Sequence, residues 1–185
     1  MATVIDMDVD KLYTYYQPLY LLEKHTLFSY ESLLRSENEI PPNILFETAR
    51  LDSQVNILDR IAIKKGLSSF HIQENIFLFL NVFPSTLIQE DFFDFLDQNL
   101  DQFGIRKNRI VFEINETISE ANNWNMSELK RVIIELKKQG VKIAIDDVGT
   151  GIACSQKIIE IQPDFVKLAR VIILEDQHRL SKIFP

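Results

Sequence analysis

Five polar side chains stand where apolar segments of this chain break off. Phe77–Leu80 runs into Asn81, Ile110–Phe112 into Glu113, Ile143–Ile145 into Asp146 and Asp147, and Phe165–Val166 into Lys167. Short, almost wholly apolar segments read as strands buried on both faces. A carboxylate at the end of such a strand is costly unless it is paired or bound to a cation. Oxygen and amide donors that converge on one rim suit hard divalent cations. In a parallel barrel the carboxyl ends of the strands share one face, where active sites lie. The plainer reading of a single aspartate after a strand is a helix N-cap, and Asp147, just ahead of Gly149-Thr150-Gly151, suits that role alone. Capping loses force as an explanation when polar residues end four successive strands.

The elements that would carry these residues alternate in a regular order. Tyr13–Leu22 and Thr26–Leu34 read as two strands joined by the turn-prone Glu23–His25. Pro41-Pro42 marks a helix start, and Ile44–Leu51 and Val55–Leu67 follow with helical spacing, as in Val55, Leu58, Ile61 and Ala62. Asn75–Val82 is the next strand, Phe92–Phe103 a helix with an aromatic stripe, and Arg109–Ile114 a strand. Ser127–Gln139 is a helix that Ser127 is placed to cap and Gly140 to end. Val141–Ile145, Gly151–Ile161 and Asp164–Leu168 continue as strand, helix and strand. Strands alternating with helices through short connections imply an α/β fold of parallel strands with right-handed crossovers. Whether the sheet is open or closed is not written in that order.

Composition narrows the function classes. The 185 residues are 46% hydrophobic and 25% charged, the balance of one ordinary globular domain spanning 1–185. The net charge of −7, without a basic run, argues against gripping a DNA or RNA duplex, which needs clustered Lys and Arg. A nucleotide ligand is still compatible, because metal ions can supply positive charge at a phosphate site. Cys154 is the single cysteine, which rules out an intramolecular disulfide and fits a reducing cytoplasm. Met1–Asp10 is acidic rather than signal-like, and runs such as Ile76–Leu80 and Val171–Leu174 are too short to span a bilayer. A soluble, cytoplasmic protein without membrane insertion is expected.

Five segments in order resemble the EAL-domain family. Tyr16-Gln17-Pro18 with Glu31-Ser32-Leu33-Leu34-Arg35 resembles the family's opening, Ser32 standing where the name-giving alanine would be. Asn81-Val82-Phe83-Pro84 is similar to its asparagine strand end, and Glu113-Ile114-Asn115-Glu116 to its paired-glutamate motif. Asp146-Asp147-Val148-Gly149-Thr150-Gly151 is close to its most distinctive signature, and Pro163-Asp164-Phe165-Val166-Lys167-Leu168 to its lysine strand. The resemblance implies a modified TIM-like (β/α) barrel of eight strands with an antiparallel first strand. It also implies hydrolysis of cyclic di-GMP to a linear dinucleotide with two Mg²⁺ or Mn²⁺ ions. Carried over residue by residue, it assigns metal ligation to Glu31, Asn81, Glu113 and Asp146, with Asp147 near the second metal. Lys167, counted with Glu31 as catalytic, would position or activate the attacking water. Gln17, Leu33 and Arg35 would contact the nucleotide, the planar guanidinium fork suiting a phosphate.

Three departures qualify that expectation. Ala169 stands where the family carries an aspartate for the second metal, and Phe83 replaces a small residue on the pocket wall. The sequence also stops at Pro185, soon after the sixth strand, so about six of eight strands are expected and the family's downstream glutamate and glutamine have no counterpart. Glu175 lacks their surrounding motif. Lost or impaired catalysis is therefore expected, the alternatives being a nucleotide receptor or a nucleotide-independent interaction module. Open barrel edges lead to an expectation of homo-oligomers or strand exchange. His25, His71 and His178 show no metal-ligand spacing, and Cys154 no partnering base.

Overall fold

The computed structural model describes residues 9–21, 23–70, 76–114, 126–148 and 158–168. Two long strands open it, β1 (Leu12–Leu21) and β2 (Thr26–Ser36), paired antiparallel across a tight turn in which His25 adopts φ 49°. Helices α1 (Pro42–Leu51) and α2 (Val55–Ser68) follow, the first entered through Pro41-Pro42, where proline's missing N–H is no loss. Strand β3 (Phe77–Val82), the short helix α3 (Pro84–Leu87), α4 (Phe92–Phe103), β4 (Ile110–Ile114), α5 (Met126–Lys138), β5 (Lys142–Val148) and β6 (Phe165–Leu168) complete the order. Residues 158–161 are helical. Helix α5 begins at Met126, so Ser127 lies inside the first turn instead of preceding it as the expected cap. Gly140 ends that helix at φ 93°, with the Val141 N–H returning to the Leu136 carbonyl at 3.1 Å. Among the described residues no helix is long and apolar enough to cross a membrane.

Among the described residues the strands form one six-stranded sheet in sequence order, β1 and β2 antiparallel and the other neighbours parallel. Alternation divides its two faces. Leu78, Leu80, Ile110, Phe112, Ile143 and Ile145 pack outward against α2, α4 and α5 in the main core. Phe79, Val111 and Ala144 point the other way and form a second cluster with Phe28, Phe77 and Phe165. Phe28 reaches that face through a bulge: Leu19 opposes Ser29 and Tyr20 opposes Leu27, leaving Phe28 as the extra residue.

The inner cluster shows that the sheet is curled. The rings of Phe28 on β2 and Phe165 on β6 lie 5.6 Å apart, centroid to centroid. Strands four places apart in a flat sheet would be about 19 Å apart at about 4.8 Å per strand. Two distant strands can meet only if the inner face is concave, as in a half-closed barrel with helices outside. The expected α/β barrel architecture, with an antiparallel first strand and six strands, is the architecture found.

Helix α2 docks closely on the strands because Gly66 has no side chain. A Cβ there would strike Ser32 Oγ and come within 2.8 Å of Leu80 Cδ2. The Gly66 carbonyl meanwhile accepts a 2.6 Å hydrogen bond from the Tyr16 hydroxyl. Replacing Gly66→Ala is expected to cost about 1–3 kcal/mol by overpacking, outweighing a helix-propensity gain of about 1 kcal/mol. Urea unfolding would reveal this as a lower midpoint, and a variant as stable as the parent would contradict the close approach.

Candidate functional site

The inner face carries the polar strand ends. On β2, residues 31, 33 and 35 alternate with the buried Ser32, Leu34 and Ser36, which puts Glu31, Leu33 and Arg35 on the concave side. Register sets Glu31 beside Phe79 of β3, Asn81 beside Glu113 of β4, and Glu113 beside Ala144 of β5. Between β5 and β6 the register slips: Ile145 pairs with Val166 and Val148 with Leu168, so Asp146 and Asp147 together span one position of the partner strand. Such a bulge re-aims side chains at the end of a strand.

Lys167 gathers the cluster. Its ammonium donates to Glu31 Oε2 at 2.7 Å and to Glu113 Oε1 and Oε2 at 2.7 and 2.6 Å. Asn81 Nδ2 donates more weakly to Glu31 Oε1 at 3.4 Å, leaving the amide oxygen of Asn81 available as a donor atom. The ammonium also lies 5.8 Å from the centroid of Phe79, over a floor of aromatic rings. Side-chain exposure falls from 24% at Lys167 through 14% at Glu31 to 0% at Glu113.

Burial and charge act together on proton affinity. Burial pushes the Glu113 carboxyl up to about 8; the Lys167 charge opposes this, while the charges of Glu31 and Asp146 add to it. Burial works against the Lys167 ammonium, yet Glu113 and Glu31 more than offset it and raise the group above the ordinary lysine value. The two directions have different leading causes: burial for Glu113, and the neighbouring carboxylates for Lys167.

Glu31 and Asn81 of the cluster line a cavity of about 420 Å³, within the usual size of small-molecule sites. Asp146, Leu33, Arg35, Arg50, Phe46 and Phe83 line it too. The structure therefore brings Glu31, Asn81, Glu113 and Lys167 into hydrogen-bond contact and puts Asp146, Leu33 and Arg35 on the same cavity. Gln17 opposes Glu31 in the β1–β2 register but is exposed and is not part of the cavity lining. Asp147 belongs to β5, and its side chain lies outside the described residues, as do Asn115-Glu116, Gly149-Thr150-Gly151, Cys154, Ala169, Glu175, His71 and His178. His25 is an exposed turn residue.

Sequence reasoning missed Asp59, Arg50 and Phe46. Asp59 is buried on α2, where its carboxylate accepts the Phe83 backbone N–H at 2.8 Å and so fixes the chain two residues beyond Asn81. The available signal was a carboxylate four residues after Val55, on the apolar stripe of its helix. Phe83, expected to reshape the wall, lines it and packs edge-on to Phe46 at 5.3 Å.

The oxygen and amide donors are of the kind that hard divalent cations prefer. They are drawn around the Lys167 ammonium, which supplies the positive charge here. Among the described residues no three His, Cys, Asp or Glu side chains stand close enough to form a metal-holding group. The donor chemistry thus fits such an ion, with Lys167 occupying the middle of the carboxylates.

Comparison with known proteins agrees with this arrangement. The chain is 29% identical over 173 residues to the probable cyclic di-GMP phosphodiesterase PdeI of Escherichia coli, covering 88% of this chain and 22% of that protein. It is 30% identical over 163 residues to the cyclic di-GMP phosphodiesterase PdeA of Borreliella burgdorferi, covering 83% and 24%. It thus spans less than a quarter of these two relatives. Klebsiella pneumoniae BlrP1, solved with calcium and cyclic di-GMP, superposes with a TM-score of 0.73 at 23% identity, over 86% of this chain and 40% of that one. The Xanthomonas citri FimX EAL domain in complex with cyclic di-GMP gives 0.72 at 20% identity, over 88% and 65%. The EAL domain family matches residues 5–184, nearly the whole sequence. Strand order, the curled sheet and that match lead to one assignment: the chain belongs to the EAL domain family.

Proposed function

We propose that this EAL domain binds cyclic di-GMP in the cavity between Arg35 and the Glu31–Glu113–Lys167 cluster, together with Mg²⁺ or Mn²⁺, and that hydrolysis is lost or strongly impaired. The observation that carries the reading is the polarity of one cavity. Carboxylates of Glu31 and Asp146 and a guanidinium suited to a phosphate, Arg35, line it together, and Glu31 accepts from the Lys167 ammonium. Glu31, Asn81, Glu113 and Asp146 would hold the cations, with Asp147 beside them. Bound there, the ions would polarise a phosphodiester and lower the pKa of an attacking water. Lys167 would hold or orient that water, and Leu33, Arg35 and Gln17 would bind and orient the nucleotide. Impairment is supported by Ala169, which offers a methyl group where the family places an aspartate. It is supported also by the hold of Lys167 on both oxygens of Glu113.

Calorimetry with Ca²⁺ and chromatography with Mg²⁺ or Mn²⁺ test the two halves separately. Heat of binding with cyclic di-GMP and little or no linear dinucleotide are expected. No heat would remove the binding reading, and turnover at rates usual for enzymes, about 1–10³ per second, would remove the claim of impairment.

The proposal includes cytoplasmic residence, which the single cysteine favours. It also includes self-association. Among the described residues β1 and β6 are edge strands, and β1 exposes Tyr15 and Tyr20 at 60% and 58%. Light scattering is expected to give a mass above the 21.6 kDa of one chain, and a monodisperse monomer would contradict it.

Proton uptake at Glu113 gives a further expectation for the metal-free protein. Its folded value of about 8 lies above its ordinary 4.5, so the native state holds a proton that the unfolded chain releases in that interval. Unfolding then releases protons, and this contribution to stability is present in full below pH 4.5 and lost as pH rises through about 8. Melting temperature with chelator present should fall across that window, and Glu113→Gln should flatten the slope. An identical pH profile for the two proteins would show that Glu113 titrates elsewhere.

A further inference from the structure

Three arginines among the described residues stack on phenylalanine rings, Arg50 on Phe83, Arg60 on Phe95 and Arg109 on Phe77, and of these Arg50 lines the cavity. Arg60 lies 5.1 Å from the Phe95 centroid and turns its donors to Asp91 as a bidentate pair. Arg50 lies 5.7 Å from the Phe83 centroid, and the Nε atoms of all three arginines are buried without a hydrogen-bond partner. A half-buried guanidinium on a cavity wall, with its face on a ring, can offer its fork to a planar acceptor that enters the cavity. Phe46, edge-on to Phe83, adds a second aromatic ring to the same wall.

We propose that Arg50, held on Phe83, recognises a guanine base by donating to its O6 and N7 atoms. The inference rests on the reading that a cyclic dinucleotide occupies this cavity. A guanidinium fork matches the O6/N7 edge of guanine and meets an amino donor on the corresponding edge of adenine. Phosphate requires no aromatic surroundings, and Arg35 already lines the cavity. The Phe46 and Phe83 rings on the same wall favour a base. Phe83 thereby acquires a purpose: its ring fixes the plane and direction of the arginine, which a small residue would leave free.

Binding of cyclic di-GMP and cyclic di-AMP to the wild-type protein and to Arg50→Ala, Arg50→Lys and Phe83→Ser, measured by calorimetry with Ca²⁺, tests this. The wild type should prefer the guanine ligand, and Arg50→Ala should reduce that preference by about tenfold or more while leaving adenine binding nearly unchanged. Arg50→Lys, which keeps the charge but loses the fork, should not restore it, and Phe83→Ser should lose part of it. Thermal melting of each variant checks that the fold is retained. Equal weakening of both ligands by Arg50→Ala would overturn the inference in favour of a phosphate contact. An unchanged preference would overturn it while leaving the functional reading intact, and a wild type that binds neither ligand would remove both.

Discussion

The contact between the Lys167 ammonium and the carboxylates of Glu31 and Glu113 determines both the shape of the sheet and the charge of the site. Glu31 is on β2 and Lys167 on β6, with three strands between them, yet their atoms are 2.7 Å apart. Curvature alone brings them together, and the rings of Phe28, Phe77, Phe79 and Phe165 fill the concave face beside the contact. Aromatic packing makes the bend favourable, and the ion cluster makes it specific. Removing the lysine would leave Glu113 fully buried with no cation beside it, a larger penalty than the loss of an exposed pair.

Supporting contacts lie in the helical layer, away from the chemistry. Asp59 reaches from α2 to the Phe83 N–H and fixes the turn that follows Asn81. Gly66 lets the same helix approach Ser32 on β2, the neighbour of Glu31 in sequence. One helix therefore sets the height of two polar strand ends, and the slipped register of β5 against β6 sets a third. A small shift of α2 would alter the separation of Glu31 and Asn81 before it disturbed the core.

What could be read from the sequence followed from period and position. Strands whose apolar run ends in one polar residue identified Asn81, Glu113, Asp146 and Lys167, because a buried strand allows polarity only at its end. The same logic could not find Arg50 or Phe46, which lie on a helix that reaches the cavity through the tertiary arrangement, nor the bulge that turns Phe28 inward. Gln17 stands opposite Glu31 in the β1–β2 register, while the residues that line the cavity come from β2, β3, β5, α1, α2 and Phe83. Helix α3 also escaped notice, being one turn entered through Pro84.

Burial keeps the proton on Glu113 up to about pH 8, and the negative charges of Glu31 and Asp146 add to that hold while Lys167 opposes it. A proton, an ammonium and a divalent cation are three ways of answering the same excess of negative charge, and they compete. A cyclic dinucleotide brings two further negative charges into a chain already at −7. Arg35 and Arg50 cannot neutralise both that ligand and the rim. If the proposed ligands bind, an ion would compete with the Glu113 proton and with Lys167 for the same carboxylates, and ion and nucleotide would each lower the electrostatic cost of the other.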